Sequence, residues 1–371
     1  MVVSTSFPRH PDDGAGHFVA ADAAALAAAG HEVHVVCAGG SWRQPPERRG
    51  PLTIHWAGAG GVFTWPGAVA RLRQGPWRAL ALPAFAAAVR WRWRQLGAVD
   101  RAVAHWLVPS AWPLLASCPV PLTVVAHGAD VRLLCALPAR LRRHVIASLL
   151  SRRTAFRFVA AALRDQLLAA LDEAQAAQLA ARAHVEPCPV LVPKDLAARA
   201  GRARDVAGRR PGPGAEPVAA VVGRLIPEKR VDLAIRGLAQ LTPPPQLVVI
   251  GEGPERAHLE QLARRLGLPA TFLGHRPRTE CLQAMAAADV LLHCSELEAA
   301  PTVVREARAC GVPVVATPAG DVTRWAAADP QIVTAAPHPA AVGAALQVAL
   351  NRRNRAPSLQ NEAARGTNGP C

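Results

Sequence analysis

At 371 residues, 51% of them hydrophobic, the chain is too long for one ordinary domain and long enough for two, each with a core of its own. Its formal net charge of +15 admits nucleic acid, an anionic membrane or an anionic substrate as partner. Lysine is confined to Lys194 and Lys229 while arginine and alanine abound and tyrosine is missing, so part of this basicity is compositional. The cysteines (Cys37, Cys118, Cys135, Cys188, Cys281, Cys294, Cys310 and Cys371) form no CxxC pair and no zinc-type Cys/His spacing, which excludes a zinc-ribbon class and reads as reduced, mostly buried thiols.

The opening MVVSTSFP lacks the basic lead and the apolar run of a secretion signal, so a cytoplasmic protein is expected. Short apolar runs then alternate with alanine- and leucine-rich helical stretches, the pattern of a parallel sheet covered by helices. The first half predicts strands at Val2 to Ser4, Val33 to Cys37, Thr53 to Trp56, Ala102 to His105, Leu122 to Ala126 and Phe156 to Ala160. After the first strand, SFPRHPDDGAGHFV carries Gly14 and Gly16 ahead of a helix from Phe18 to Ala29, which Gly30 terminates. The apolar stretch Ala79 to Val89 contains Pro83 and falls well short of the roughly 20 residues that span a bilayer. Around it, Arg71 to Arg94 interleaves arginine with Trp77, Trp91 and Trp93. That pattern suits either an element lying on anionic lipid or an arginine-rich helix packed on the sheet. The segments AHWLVPS, with His105 and Trp106, and LTVVAHGAD, with His127, Gly128 and Asp130, each leave the carboxyl end of a strand, where ligands of open parallel sheets bind.

GRRPGPGAEP, Gly208 to Pro217, holds too much proline and glycine to pack as an element. We therefore divide the chain into residues 1–200, a linker 201–217, a second doubly wound domain 218–350 and a disordered tail 351–371. Strands are expected at Val218 to Val222, Leu247 to Ile250, Thr271 to Leu273, Val290 to His293 and Val314 to Ala316, and the cleft between the two sheets is the expected site. VVGRLIPEKR follows the first of these strands with Arg224 and Lys229, and the later run GEGP requires only a tight backbone turn. SELEAAPTVVREARACGVPVVA leaves a buried strand, turns at Pro301 and enters a helix that Thr302 is expected to cap. Free amides at Val303 and Val304, with the helix dipole behind them, make an anion site suited to a diphosphate. Glu298 before the helix and Glu306 inside it can reach different parts of one ligand, and carboxylates accept hydrogen bonds from sugar hydroxyls.

The spacing of Glu298 and Glu306 matches the E-x7-E pattern, and on it the chain resembles the retaining GT-B glycosyltransferases of family 4. Arg224 and Lys229 match the family's G-R-L-x-x-x-K-G segment, with Arg230 in place of its glycine, and His127 to Asp130 match its HG-x-D segment. The resemblance implies two Rossmann-like domains facing across a cleft. It also implies that Glu298 contacts the hydroxyls of the donor sugar and Glu306 the ribose, while Arg224 and Lys229 neutralise the diphosphate. His127 would bond the sugar near its reacting carbon, and Asp130 would orient the loop or the acceptor. Gly16, His105, Thr302 and Val303 would line the substrate site. Ala299 and Ala300 stand where the family usually has Gly-Phe, which bears on sugar preference.

Such an enzyme moves a hexose-type sugar from a UDP-, GDP- or ADP-sugar to a glycan or lipid-linked acceptor with retention, without a metal or other cofactor. A peripheral position on the inner face of the membrane, in building cell-envelope polysaccharide, is the corresponding expectation. The rivals are another GT-B enzyme, such as a sugar-nucleotide epimerase, and a basic nucleic-acid-binding protein; the second-domain motifs need no nucleic acid.

Overall fold

The computed structural model describes residues 1–10, 12–63, 68–116, 118–193, 196 and 216–355. It divides into two compact units, Met1–Leu191 and Val192–Cys371. Of the expected linker at 201–217, only Glu216 and Pro217 lie among the described residues.

Unit 1 is an eight-stranded sheet: β1 (Val2–Ser4), β2 (Val33–Cys37), β3 (Glu47–Arg49), β4 (Leu52–Trp56), β5 (Ala102–His105), β6 (Leu122–Ala126), β7 (Thr154–Phe158) and β8 (Ala183–Val185). The order is β3-β4-β2-β1-β5-β6-β7-β8, and every pair is parallel except β3 with β4. A sheet covered on both faces reads as continuous apolar runs, and Val2, Val3, Val35, Val36, Val124 and Val125 are accordingly buried. The chain leaves β1 on one side and later adds β5 on the other, so the strand order reverses there. At such a point loops after the strands splay apart and leave a crevice. The loops after β1, β5 and β6 carry Gly16, Trp106 and His127.

Unit 2 is a six-stranded, wholly parallel sheet of β9 (Val218–Val222), β10 (Gln246–Ile250), β11 (Ala270–Gly274), β12 (Val290–His293), β13 (Val314–Ala316) and β14 (Ile332–Thr334). Its order, β11-β10-β9-β12-β13-β14, reverses between β9 and β12, so the loops after those two strands flank the crevice. The Val231–Leu238 helix packs on the final helix, Pro339–Arg355, with Val231, Leu238, Val342, Leu346 and Leu350 in one buried cluster. Burying each such side chain contributes about 1.5–3 kcal/mol.

The first helix is His17–Ala28, one residue from its expected bounds, and Gly30 follows at φ 89°. Three expectations are corrected. The strand expected at Phe156 to Ala160 is Thr154–Phe158, because Val159 and Ala160 already form the turn into the Ala161–Ala169 helix. The tail is helical as far as Arg355, since neither proline nor glycine interrupts Asn351 to Arg355, and Arg352 Nη1 donates to the Pro330 carbonyl. Residues 356–371 lie outside those described. Thr302 is the first residue of its helix rather than its cap: Pro301 holds the cap position, with no side-chain cap.

Candidate active site

In unit 2 the two crevice loops are tied together. The Glu296 amide donates to the Glu228 carbonyl at 2.9 Å, which brings the loop after β12 against the Pro227–Lys229 turn after β9. Lys229 Nζ consequently donates to Glu298 Oε1. His293, the last residue of β12, places Nε2 at 3.3 Å from the same oxygen, a contact rather than an aligned hydrogen bond. Burial would raise the Glu298 pKa, but His293 and the charge of Lys229 outweigh it and hold the carboxyl at about 2.

Arg224 is exposed, and its guanidinium has no partner among the described residues. Its loop is pinned by main chain: Leu225 N donates to Glu252 O at 2.9 Å and Gly223 N to Ile250 O at 3.0 Å. A Cβ on Gly251 would lie 1.8 Å from Gly223 O and one on Gly253 2.1 Å from Leu225 O, so the GEGP turn requires both glycines.

Glu306 is buried and pairs with Arg278 at 2.5 Å. At the start of its helix the expectation of two free amides is corrected. The Val304 amide donates to the Pro301 carbonyl at 3.2 Å, leaving Val303 without a backbone partner among the described residues. A first helical turn that folds back on its cap residue uses one of the orphan donors itself.

Unit 1 gathers a different set. Gly16 is left-handed at φ 70°, and a Cβ there would lie 2.7 Å from Ser6 C, so the loop after β1 closes on the helix start only through glycine; nothing crowds Gly14. Asp130 is buried and clamps the loops after β5 and β6. Its Oδ2 accepts from Leu107 N at 2.8 Å, and its Oδ1 accepts from Gly128 N at 2.8 Å and His127 N at 3.1 Å. Burial raises its pKa against these amide donors, and the arrangement gives it a loop-holding role. His105 is wholly buried, so it sits behind His127 instead of lining the site; its Nδ1 is 2.9 Å from His127 Nε2. Phe18 and Trp106 flank the His127 ring at centroid distances of 4.8 and 5.0 Å, and Trp106 holds a strained φ of 79°.

Among the described residues one group, His105, His127 and Cys188, has metal-ligand chemistry, its donor atoms all within 4.8 Å of one another. Two features disfavour a cation there. The histidine nitrogens already bond each other, and Arg157 Nη2 donates to Cys188 Sγ at 3.6 Å. In unit 2 the crevice loops instead carry the cationic side chains of Arg224 and Lys229, and the helix after β12 begins with the Val303 amide.

His293, Arg278, Asp22 and Arg157 escaped the sequence reading. His293 and Asp22 left a signal: one polar side chain interrupting VLLHC, and one acid inside AADAAALAAAG. Arg278 and Arg157 left none, since each resembles any other arginine of an arginine-rich chain until the fold supplies its carboxylate.

Residues 13–192 match the family described as Glycosyltransferase Family 4, and residues 208–365 that described as Glycosyl transferases group 1. A GDP-mannose-dependent alpha-mannosyltransferase of Mycobacterium tuberculosis (strain CDC 1551 / Oshkosh) is 41% identical over 117 residues, which is 31% of this chain and 29% of that protein. The match thus spans less than a third of that curated relative. Sucrose-phosphate synthase from Thermosynechococcus elongatus superposes with a TM-score of 0.69 at 20% identity, covering 95% of this chain and 90% of that one. Anabaena HepE in complex with UDP superposes with a TM-score of 0.58 at 18% identity, covering 98% of each chain. The chain, two parallel-sheet α/β units of GT-B type, belongs to the group 1 glycosyltransferases of family 4.

Proposed function

We propose that the protein is a retaining, metal-independent hexosyltransferase that takes its sugar from a nucleoside diphosphate sugar. The observation that carries this reading is the meeting of Lys229 and Glu298 on the two loops at the switch point of unit 2. The first is a cation suited to a diphosphate, the second a carboxylate suited to sugar hydroxyls. An ammonium has three donors, so Lys229 can keep Glu298 and meet a phosphate oxygen at once. Arg224, exposed and without a side-chain partner among the described residues, supplies a second cation. Fixed charges in place before the reaction stabilise the leaving diphosphate without reorganisation.

Transfer then breaks the bond from the sugar's anomeric carbon to the phosphate oxygen and forms one to the acceptor hydroxyl oxygen on the same face. The hydroxyl proton passes to the departing phosphate. Glu306 would receive the ribose hydroxyls, with Arg278 setting its direction, and the Val303 amide, which has no backbone partner among the described residues, would meet a phosphate oxygen. Melting-temperature shifts with UDP, GDP and ADP test the donor site, because a ligand that binds only the folded state raises stability. NMR of the anomeric product proton then reads retention or inversion; no shift with any of the three nucleotides would refute the reading.

We also place the acceptor at an anionic membrane surface. Among the described residues no helix is long and apolar enough to cross a membrane, and the contact we propose is a peripheral one. From Arg48 to Val99 the sequence contains no acidic residue. The Ala81–Leu96 helix buries Phe85, Ala88, Val89 and Arg92 and leaves Arg90, Trp91 and Arg94 exposed, next in sequence to Trp77 at 66% and Leu80 at 81% exposure. One face thus packs inward as an ordinary amphipathic helix does, and the other combines arginine with apolar rings. Such a surface favours anionic lipid by charge and by apolar insertion. A lipid-linked, cell-envelope acceptor follows from that placement. Sedimentation with phosphatidylglycerol vesicles at low salt, and its absence with phosphatidylcholine, checks it.

A further inference from the structure

Unit 1 contains a buried polar chain that nothing in the donor chemistry explains. Arg157 Nη2, on β7, lies 2.6 Å from Asp22 Oδ2, on the first helix, and the same oxygen lies 3.2 Å from His105 Nε2, on β5. His105 Nδ1 then lies 2.9 Å from Nε2 of His127, just past β6. Asp22 is 4% exposed and His105 0%. An acid in the middle of an alanine-rich helix, facing the sheet, is costly to bury unless it is paired, and here Arg157 pairs it. Burial would raise the Asp22 pKa, but His105 and Arg157 outweigh it and hold the group at about 2, an ionised carboxylate.

The direction of each hydrogen follows from what these groups can donate. A carboxylate only accepts, and a neutral imidazole carries one N–H and one lone pair. Both histidines are held below their usual range, His105 by burial despite Asp22, His127 by burial and then by His105 and Arg157. His105 Nε2 and Asp22 Oδ2 meet at 3.2 Å as a close contact rather than an aligned hydrogen bond; a lone pair at that distance would be repelled by the carboxylate, so the single proton of His105 belongs on Nε2. Its Nδ1 is then a lone pair, and the bond at that atom requires His127 to donate from Nε2. The remaining His127 nitrogen, Nδ1, is left with a lone pair on a ring that is part exposed and held between Phe18 and Trp106, with the His105 ring end to end with it at a centroid distance of 5.2 Å and 19° between the planes.

We propose that Asp22, backed by Arg157, is a positioning residue that acts through His105 to fix the proton of His127 on Nε2. His127 thereby presents Nδ1 as a hydrogen-bond acceptor to a substrate hydroxyl. A phosphate oxygen, which brings no proton, is rejected at that atom. Carboxylate–imidazole pairs fix tautomers in this way wherever the ring's second nitrogen has work to do. The ligand half of this inference rests on the sugar-transfer reading; the proton direction does not.

The test is long-range 1H–15N NMR of the full chain labelled at the histidine rings, at neutral pH and without substrate, with His127→Gln and His105→Gln to assign the signals. The expected spectrum shows His127 protonated at Nε2 and bare at Nδ1. Asp22→Leu combined with Arg157→Leu removes both charges together, a replacement that buried ion pairs often tolerate; His105 then loses its anchor and His127 gains an Nδ1–H population. Asp22→Asn alone gives a second route to the same change if the double variant does not fold. Wild-type His127 protonated at Nδ1, or a tautomer unchanged in these variants, overturns the proposal. In turnover of UDP-glucose or GDP-mannose, Asp22→Asn is expected to lower kcat on the order of tenfold or more with KM within about twofold. Unchanged kcat, or wild type inactive on every nucleotide sugar, overturns the ligand half while the spectra decide the proton direction separately.

Discussion

Replacing Lys229 by alanine separates two contributions of one side chain. Glu298 is held at about 2 against an ordinary 4.5, which corresponds to about 3 kcal/mol in favour of the folded, ionised carboxylate. His293 and Lys229 share that effect, and both carboxylate and ammonium are less than a third exposed. Losing Lys229 alone should therefore cost roughly 1–2 kcal/mol at neutral pH. The sign follows from the depressed pKa. This stability is fully present above pH 4.5 and is lost as pH falls towards 2, so the variant's stability should depend less on pH across that window. The loss in turnover should be larger, because a fixed cation meeting charge on a leaving group contributes about 3–4 kcal/mol, a hundred- to thousandfold in rate. Lys229→Arg should restore stability better than rate, since a planar fork does not reproduce a compact point charge. Urea unfolding against pH and single-turnover release of the nucleoside diphosphate read the two effects. A variant that keeps its rate within about twofold would refute the catalytic role, and one with an unaltered pH profile would refute the pairing.

Arg278→Ala should weaken nucleoside diphosphate binding on the order of ten- to hundredfold, because it leaves Glu306 without the arginine it meets at 2.5 Å; calorimetry reads the change. Gly251→Ala places a Cβ 1.8 Å from Gly223 O at φ 145°, so it should destabilise by several kcal/mol and displace the Arg224 loop, seen as a lower Tm and lost nucleotide binding. Arg230 stands at φ 47° where the family has glycine, and Arg230→Gly should raise stability by roughly 0.5–1 kcal/mol, measured in urea.

The inner strands were legible because strands buried on both faces leave unbroken apolar runs; β1, β2, β5, β6, β9, β12 and β13 fall where those runs predict. The edges were not. Glu47–Arg49 is charged throughout and Ala183–Val185 has His184 between two apolar residues; three-residue edge strands of this kind carry little hydrophobic signal because one side faces no neighbour. Within the site, loop residues of short motifs could be found by their order along the chain. Partners could not: Lys229 and Glu298 lie 69 residues apart, and only the reversal of strand order between β9 and β12 brings their loops together. His105 shows the opposite limit. Its place at the end of a strand marked it as a ligand contact, yet its side chain points into the core and contacts Asp22 and His127. A strand's alternation tells which residues share a face, but not which face lies under a helix.

The most direct measurement is calorimetric titration of UDP, GDP and ADP into the protein in excess EDTA, repeated with Lys229→Ala and Glu306→Gln. The account predicts that at least one nucleotide binds without divalent ions and that both substitutions weaken it. Binding that vanishes on chelation, or that neither substitution alters, would contradict it.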